Sequence, residues 1–256
     1  MSSYSYEHRW QSDASGRITW ATQRLIVLNV LAFGLQLLLF IPLGGGEVPG
    51  GLFTHWLSFQ PLALLRGALW KPLTYMFLHG GLMHLFINML WLFFFGPDVE
   101  RALGTRQFVR FYLICGALGV FATFLTVWLS QVQESVVGAS GAVMGVMVAY
   151  AIISPDRQFF LFPLPIPINA RTLVYIVIAM NIITAMQGGG NTSVATHLGG
   201  MAVGYAYMKT LPKFHRWQRT RQRKPKPHPE NTSKKGTSSH SDVGEAVDNI
   251  FKFKKK

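Results

Sequence analysis

LIVLNVLAFGLQLLLFI, residues 25–41, runs without a single charged side chain. A helix needs about 20 predominantly apolar residues to cross a bilayer, so this block decides the class of the chain. A cleaved secretory signal is the poorer reading. A 24-residue polar lead precedes the block, no small-residue cleavage site closes it, and further apolar segments follow. Working outward, the candidate spans are roughly 25–42, 82–97, 109–130, 139–154, 171–187 and 194–211. Composition agrees, with 50% hydrophobic and only 14% charged residues, against the roughly 25% charged typical of soluble proteins.

The net charge of +13 suggests a nucleic-acid partner until it is mapped. From Lys209 onward there are 14 Lys or Arg and 4 Asp or Glu, so most of the excess lies in the tail. Residues 212–256 are rich in Lys, Arg, Ser and Pro, which reads as a disordered tail near anionic lipid headgroups. No nucleic-acid partner is expected. The remaining basic residues alternate between connections. Arg9, Arg17 and Arg24 lie in the leader, Arg101, Arg106 and Arg110 between spans 2 and 3, and Arg157 and Arg171 between spans 4 and 5. The 3–4 and 5–6 connections have none, and the long 1–2 connection has only Arg66 and Lys71. The positive-inside rule then gives six helices with both termini cytoplasmic. Residues 1–24 form a cytoplasmic N-terminal segment, 25–211 the membrane domain and 212–256 the basic tail. The lone Cys115, inside an apolar run, reads as an inert small hydrophobe.

The connection at 43–81 is rich in aromatics and leucine, including Phe53, Trp56, Phe59 and Trp70, yet Gly and Pro interrupt it. Irregular backbone finds no partners in lipid, so this segment is expected to lie in the interface with its tryptophans at headgroup depth.

Polar groups inside spans are expensive and therefore functional candidates. His79, His84 and Asn88 fall around span 2, Ser140 in span 4 and His197 in span 6. Spans 2, 4 and 6 all enter from the outer face, and these residues occupy their first turns, so they share one shallow depth. Ser140 lies in GASGAVMG (138–145) and His197 in THLGGMAVG (196–204). Gly141 and Gly145 are four apart, as are Gly200 and Gly204, a spacing that lets helices approach closely. Such packing brings a serine hydroxyl towards an imidazole able to accept its proton. No carboxylate is available to orient the histidine: Asp98, Glu100 and Asp156 sit at cytoplasmic ends, and Glu47 and Glu134 in outer loops. The reading is a Ser–His dyad. His84 and Asn88, one helical turn apart, supply donors for an oxyanion. Three histidines could also ligate zinc, but spacings of five and four that end on Asn leave the ligand set incomplete, so no metal is expected.

At these residues the chain resembles the rhomboid family of intramembrane serine proteases. The resemblance rests on PLTYMFLHGGLMHLFINMLWL (72–92), VERALG (99–104), GASGAVMG (138–145) and THLGGMAVGY (196–205). It implies an all-α polytopic membrane protein, a six-transmembrane-helix rhomboid-like bundle with a membrane-embedded first loop. It further implies Ser140 as nucleophile and His197 as general base. Asn88, His84 and the Ser140 amide would line the oxyanion hole, with His79, Gly138, Gly141, Met144, Gly200 and Gly204 in support. The 5–6 region looks like the family's mobile cap and substrate gate. No cofactor is implied, and the substrates would be transmembrane segments of other proteins. Two departures stand out. Met144 takes the place of an aromatic residue that often backs the histidine, and Glu100 is followed at once by Arg101 rather than by an arginine two places on.

The alternative is a non-catalytic rhomboid-like binder of transmembrane helices, although such proteins usually lack the serine or histidine. A solute channel is disfavoured because the polar groups stop near one face. The compact layout without a long presequence points to a bacterial plasma (inner) membrane.

Overall fold

In a computed structural model, residues 18–40, 51–130, 135–160, 167–187 and 191–211 are described. They are mostly helical. The helices are α1 (Trp20–Phe40), α2 (Gly51–Leu57), α3 (Pro61–Leu65), α4 (Lys71–Thr74), α5 (Leu82–Leu103), α6 (Thr105–Gly119), α7 (Thr123–Ser130), α8 (Ser140–Ile153), α9 (Ala170–Met186) and α10 (Asn191–Thr210). The segments Trp20–Leu39, Leu82–Leu103 and Thr105–Leu129 are long and apolar enough to cross a membrane. The third contains α6, a 3-10 turn and most of α7. Helices α8 and α9 are apolar but shorter. Arg9, Arg17, Glu47, Glu134, most of the N-terminal segment and the 212–256 tail lie outside the described residues.

Two helix ends differ from the sequence reading, and one side chain accounts for both. Span 2 was expected to stop at Pro97, but α5 continues through it to Leu103 and ends at Gly104, where φ is +84°. Span 1 was expected to begin at residue 25, but α1 begins at Trp20. Glu100, only 3% exposed, lies in the added turn of α5 and faces the added turn of α1. Its carboxylate accepts from the Thr19 hydroxyl at 2.5 Å, the Thr22 hydroxyl at 3.0 Å, the Ala21 amide at 3.0 Å and the Thr22 amide at 2.9 Å. The first N–H groups of a helix have no partner within it and favour a negative charge. Glu100 meets both needs from another helix. It also accepts from the Thr105 hydroxyl at 2.9 Å, which fastens the start of α6. Arg101 pairs instead with Asp98 at 2.8 Å.

The first loop is folded onto the bundle. Trp56 and Trp70 stack at 6.4 Å, and the Trp70 indole N–H donates to the Trp56 carbonyl at 3.1 Å. Lys71 donates through Nζ to the His55 carbonyl at 2.8 Å. Trp56 is 62% exposed, whereas Phe59 is fully buried against Tyr75, Phe121 and Phe124. Phe59 is therefore a core residue, not part of the exposed aromatic face.

A short antiparallel ribbon also departs from the all-helical expectation. It joins β1 (Gln158–Phe160) to β2 (Pro167–Asn169), with Phe159 opposite Ile168. Its cause is tertiary: the Phe159 ring packs against Phe95 and Tyr150.

Replacing Glu100 by Ala strips the acceptor from donors at the starts of two helices, α1 and α6, and should lower stability by about 3 kcal/mol. Asp98→Ala breaks a partly exposed pair and should cost less than about 1 kcal/mol. Thermal or denaturant unfolding of the two variants in one detergent would check the contrast.

Candidate active site

Glycine sets the distance between α8 and α10. A Cβ built on Gly200 would collide with the Gly141 carbonyl oxygen, and one on Gly204 would stand 2.8 Å from the Gly145 Cα. Gly141 meets both Thr196 and Gly200, and Gly145 meets both Gly200 and Gly204. The two helices thus run parallel and in step, and the level of Ser140 on one is that of His197 on the other. The seam extends to α6, where Gly119 lies against the backbone of Gly199 and Gly200. Backbones approach this closely only where side chains are missing.

Ser140 is buried and opens α8. The segment leading to it is fastened at three points. Phe59 and Val136 exchange backbone hydrogen bonds at 2.9 and 2.8 Å, the Ser135 hydroxyl donates to that of Ser58 at 2.7 Å, and the Gly138 amide donates to the Tyr75 carbonyl at 2.9 Å. Gly138 has φ +123°, a conformation that a residue with a Cβ rarely adopts. The space that its Cβ would take is filled by the His84 ring, whose Nε2 lies 2.9 Å from the Cβ position. The Gly80 amide donates to His84 Nδ1 at 3.4 Å. A neutral imidazole accepting at Nδ1 carries its proton on Nε2, so His84 presents a donor to the segment just before Ser140.

Asn88 is buried one turn further along α5 and donates through Nδ2 to the His84 carbonyl at 2.9 Å. An amide nitrogen has two hydrogens, and the second remains for another acceptor. His79 is buried with its ring edge-on to His84 at 5.3 Å. Its backbone is clasped by the Gln36 amide of α1, which donates to the His79 carbonyl at 2.9 Å and accepts from the His79 N–H at 3.0 Å. Among the described residues no group of three His, Cys, Asp or Glu is arranged to hold a metal.

His197, partly buried, shares with Met144, Met180, Asn181, Thr184, Ser193 and Val194 a cleft of about 260 Å³. Met144, one turn after Ser140, thus lies beside the histidine. His197 Nδ1 is 2.9 Å from Asn181 Oδ1. Sequence reasoning passed over Asn181, along with the buried Asn29 and Gln36. The signal was present: Asn181 interrupts the apolar run VYIVIAMNIITAM (174–186), and a polar residue in a span is a candidate on that ground alone.

Apolar helices of crossing length, with a serine and a histidine brought level by a glycine seam, define a multi-pass membrane protein. Residues 66–214 match the family model described as the Rhomboid domain. The chain is 30% identical over 202 residues to Rhomboid protease AarA of Providencia stuartii, covering 72% of this chain and 69% of that one. It is 30% identical over 188 residues to Rhomboid protease GluP of Bacillus subtilis, covering 72% and 35%. It is also 29% identical over 150 residues to Rhomboid protein 1, mitochondrial, of Saccharomyces cerevisiae, covering 57% and 42%. Its match thus takes in less than half the length of the GluP and yeast proteins. The chain belongs to the rhomboid family.

A valine in place of Gly200 must force α8 and α10 apart and should lower stability by about 3 kcal/mol. At Gly34 of α1 a Cβ meets nothing within 4 Å, so Gly34→Ala should be neutral or stabilising by up to about 1 kcal/mol. Melting of both variants in detergent would read the difference.

Proposed function

We propose that the chain is an intramembrane serine endopeptidase that hydrolyses peptide bonds within or beside the transmembrane segments of other membrane proteins. The observation that carries this reading is the parallel glycine seam, which sets Ser140 and His197 at one level. Family membership supports it, as do two relatives named as rhomboid proteases.

The chemistry is acyl transfer. Ser140 Oγ attacks the scissile carbonyl carbon while His197 Nε2 takes the hydroxyl proton. The carbonyl oxygen becomes an oxyanion and is met by the His84 Nε2–H, an Asn88 Nδ2–H and the amide of Ser140 at the start of α8. When the tetrahedral intermediate collapses, the C–N bond breaks and His197 returns the proton to the leaving amine. Water then gives a proton to His197 as its oxygen attacks the acyl carbon, and when the acyl C–Oγ bond breaks His197 returns that proton to Ser140 Oγ. No cofactor takes part. A helical substrate must unwind locally to present its peptide bond, since helical backbone groups are bonded internally.

The wider reading has six spans built on α1, α5, α6–α7, α8, α9 and α10, with both termini cytoplasmic and the site towards the outer face. The first loop rests in the interface on its exposed face, and the basic tail lies near anionic headgroups. A bacterial plasma membrane is the setting, consistent with the similarity to AarA along most of its length.

Purified protein incubated with a cleavable transmembrane substrate tests the proposal. Ser140→Ala and His197→Ala should abolish product, and Asn88→Ala should lower kcat about 100- to 1000-fold. A fluorophosphonate probe should label the unaltered protein and spare Ser140→Ala. Equal product from unaltered protein and Ser140→Ala would refute the protease reading and leave a binder of transmembrane helices.

A further inference from the structure

The general base of an acyl-transfer site must keep one particular nitrogen free of its proton. A neutral imidazole has one N–H and one bare nitrogen, and whatever bonds to the far nitrogen decides which is which. Among the described residues, the side chain at His197 Nδ1 is the Asn181 amide and not a carboxylate. We propose that Asn181 is a positioning residue that holds His197 with its proton on Nδ1 and leaves Nε2 bare as the proton acceptor. Its catalytic consequence rests on the protease reading above.

The direction of the bond follows from the chemistry of the amide. Asn181 Nδ2 donates to the Val177 carbonyl of its own helix at 2.8 Å. Were the amide turned over, its oxygen would face that carbonyl, two acceptors with no hydrogen between them. The local helix therefore fixes the amide, and Oδ1 is the atom that faces His197 Nδ1 at 2.9 Å. A carbonyl oxygen accepts only, so Nδ1 must carry the hydrogen. The relay runs from His197 to Asn181 to the Val177 carbonyl, each partner donating to the next.

Two further facts favour this role. Asn181 is 8% exposed, so water competes little for its oxygen. It also belongs to α9, whereas the proposed nucleophile and base sit on α8 and α10, so a third helix supplies the orientation. An amide suits an apolar surrounding better than a carboxylate does, because it selects the tautomer without a buried charge. A thiol protease of the papain type uses an asparagine beside its histidine in the same chemical capacity.

The test uses the full chain in detergent with a cleavable transmembrane substrate and Ser140→Ala as the blank. Asn181→Leu keeps the bulk and removes the acceptor. Its kcat should fall about 10- to 100-fold, less than the roughly 100- to 10,000-fold that a general base itself contributes because the base is still present, while KM moves less than about twofold. Asn181→Asp restores an acceptor oxygen and should recover most of that loss. In the Ser140→Ala background, ¹⁵N spectra of labelled histidine should place the His197 proton on Nδ1, and adding Asn181→Leu should shift the population towards Nε2. A kcat unchanged by Asn181→Leu, equal losses in Asn181→Leu and Asn181→Asp, or a His197 proton found on Nε2 while Asn181 is intact would each overturn the proposal. If the unaltered protein cleaves no better than Ser140→Ala, the protease reading fails, and the spectra alone then decide what Asn181 does.

Discussion

Everything at the site depends on how closely two backbones approach. Helices α8 and α10 touch through Gly141, Gly145, Gly200 and Gly204, and α6 closes on the same seam through Gly119. Lipid gives helices little hydrophobic reason to associate, so they hold together by dispersion contacts and close fit. A seam of this kind has few stable registers, because sliding it drives a side-chain-bearing residue into a backbone. The alignment of Ser140 with His197 is thus a by-product of the fit and needs no direct bond between them.

Around that seam the remaining polar groups are distributed by task and by distance from it. Glu100 serves helix ends far along α5 from His84, tying the starts of α1 and α6 to one buried carboxylate. Gln36 clasps the backbone of His79, which ties α1 to the chain just ahead of α5. Among the described residues, the polar side chains gathered near Ser140 are neutral amides, hydroxyls and imidazoles. The charged group stabilises architecture while neutral groups hold the proposed chemistry, as expected where an unpaired charge is costly.

How much of this could be read from the sequence varies with how local the cause is. Apolar blocks and the glycine pairs at 141/145 and 200/204 are patterns within single helices, and they were legible. So was the common level of His84, Ser140 and His197, because it follows from the order of the spans. Helix ends were not, since α1 and α5 are lengthened by bonds between Glu100 and Thr19, Ala21 and Thr22, far apart in sequence. Phe59 looked like one more interfacial aromatic because nothing nearby in the chain reveals Val136 and Tyr75 as its neighbours. Asn181 was missed for a different reason. It belongs to no recognisable string and stands as a lone amide in a run of Ile and Met.

The backbone exchange between Phe59 and Val136 has a mechanical meaning. Two such bonds make a stiff splice between the first loop and the short length of chain that ends at Ser140. A splice carries load. A shift of the loop at Phe59 would therefore be handed to the backbone that leads into Ser140 rather than taken up in slack chain.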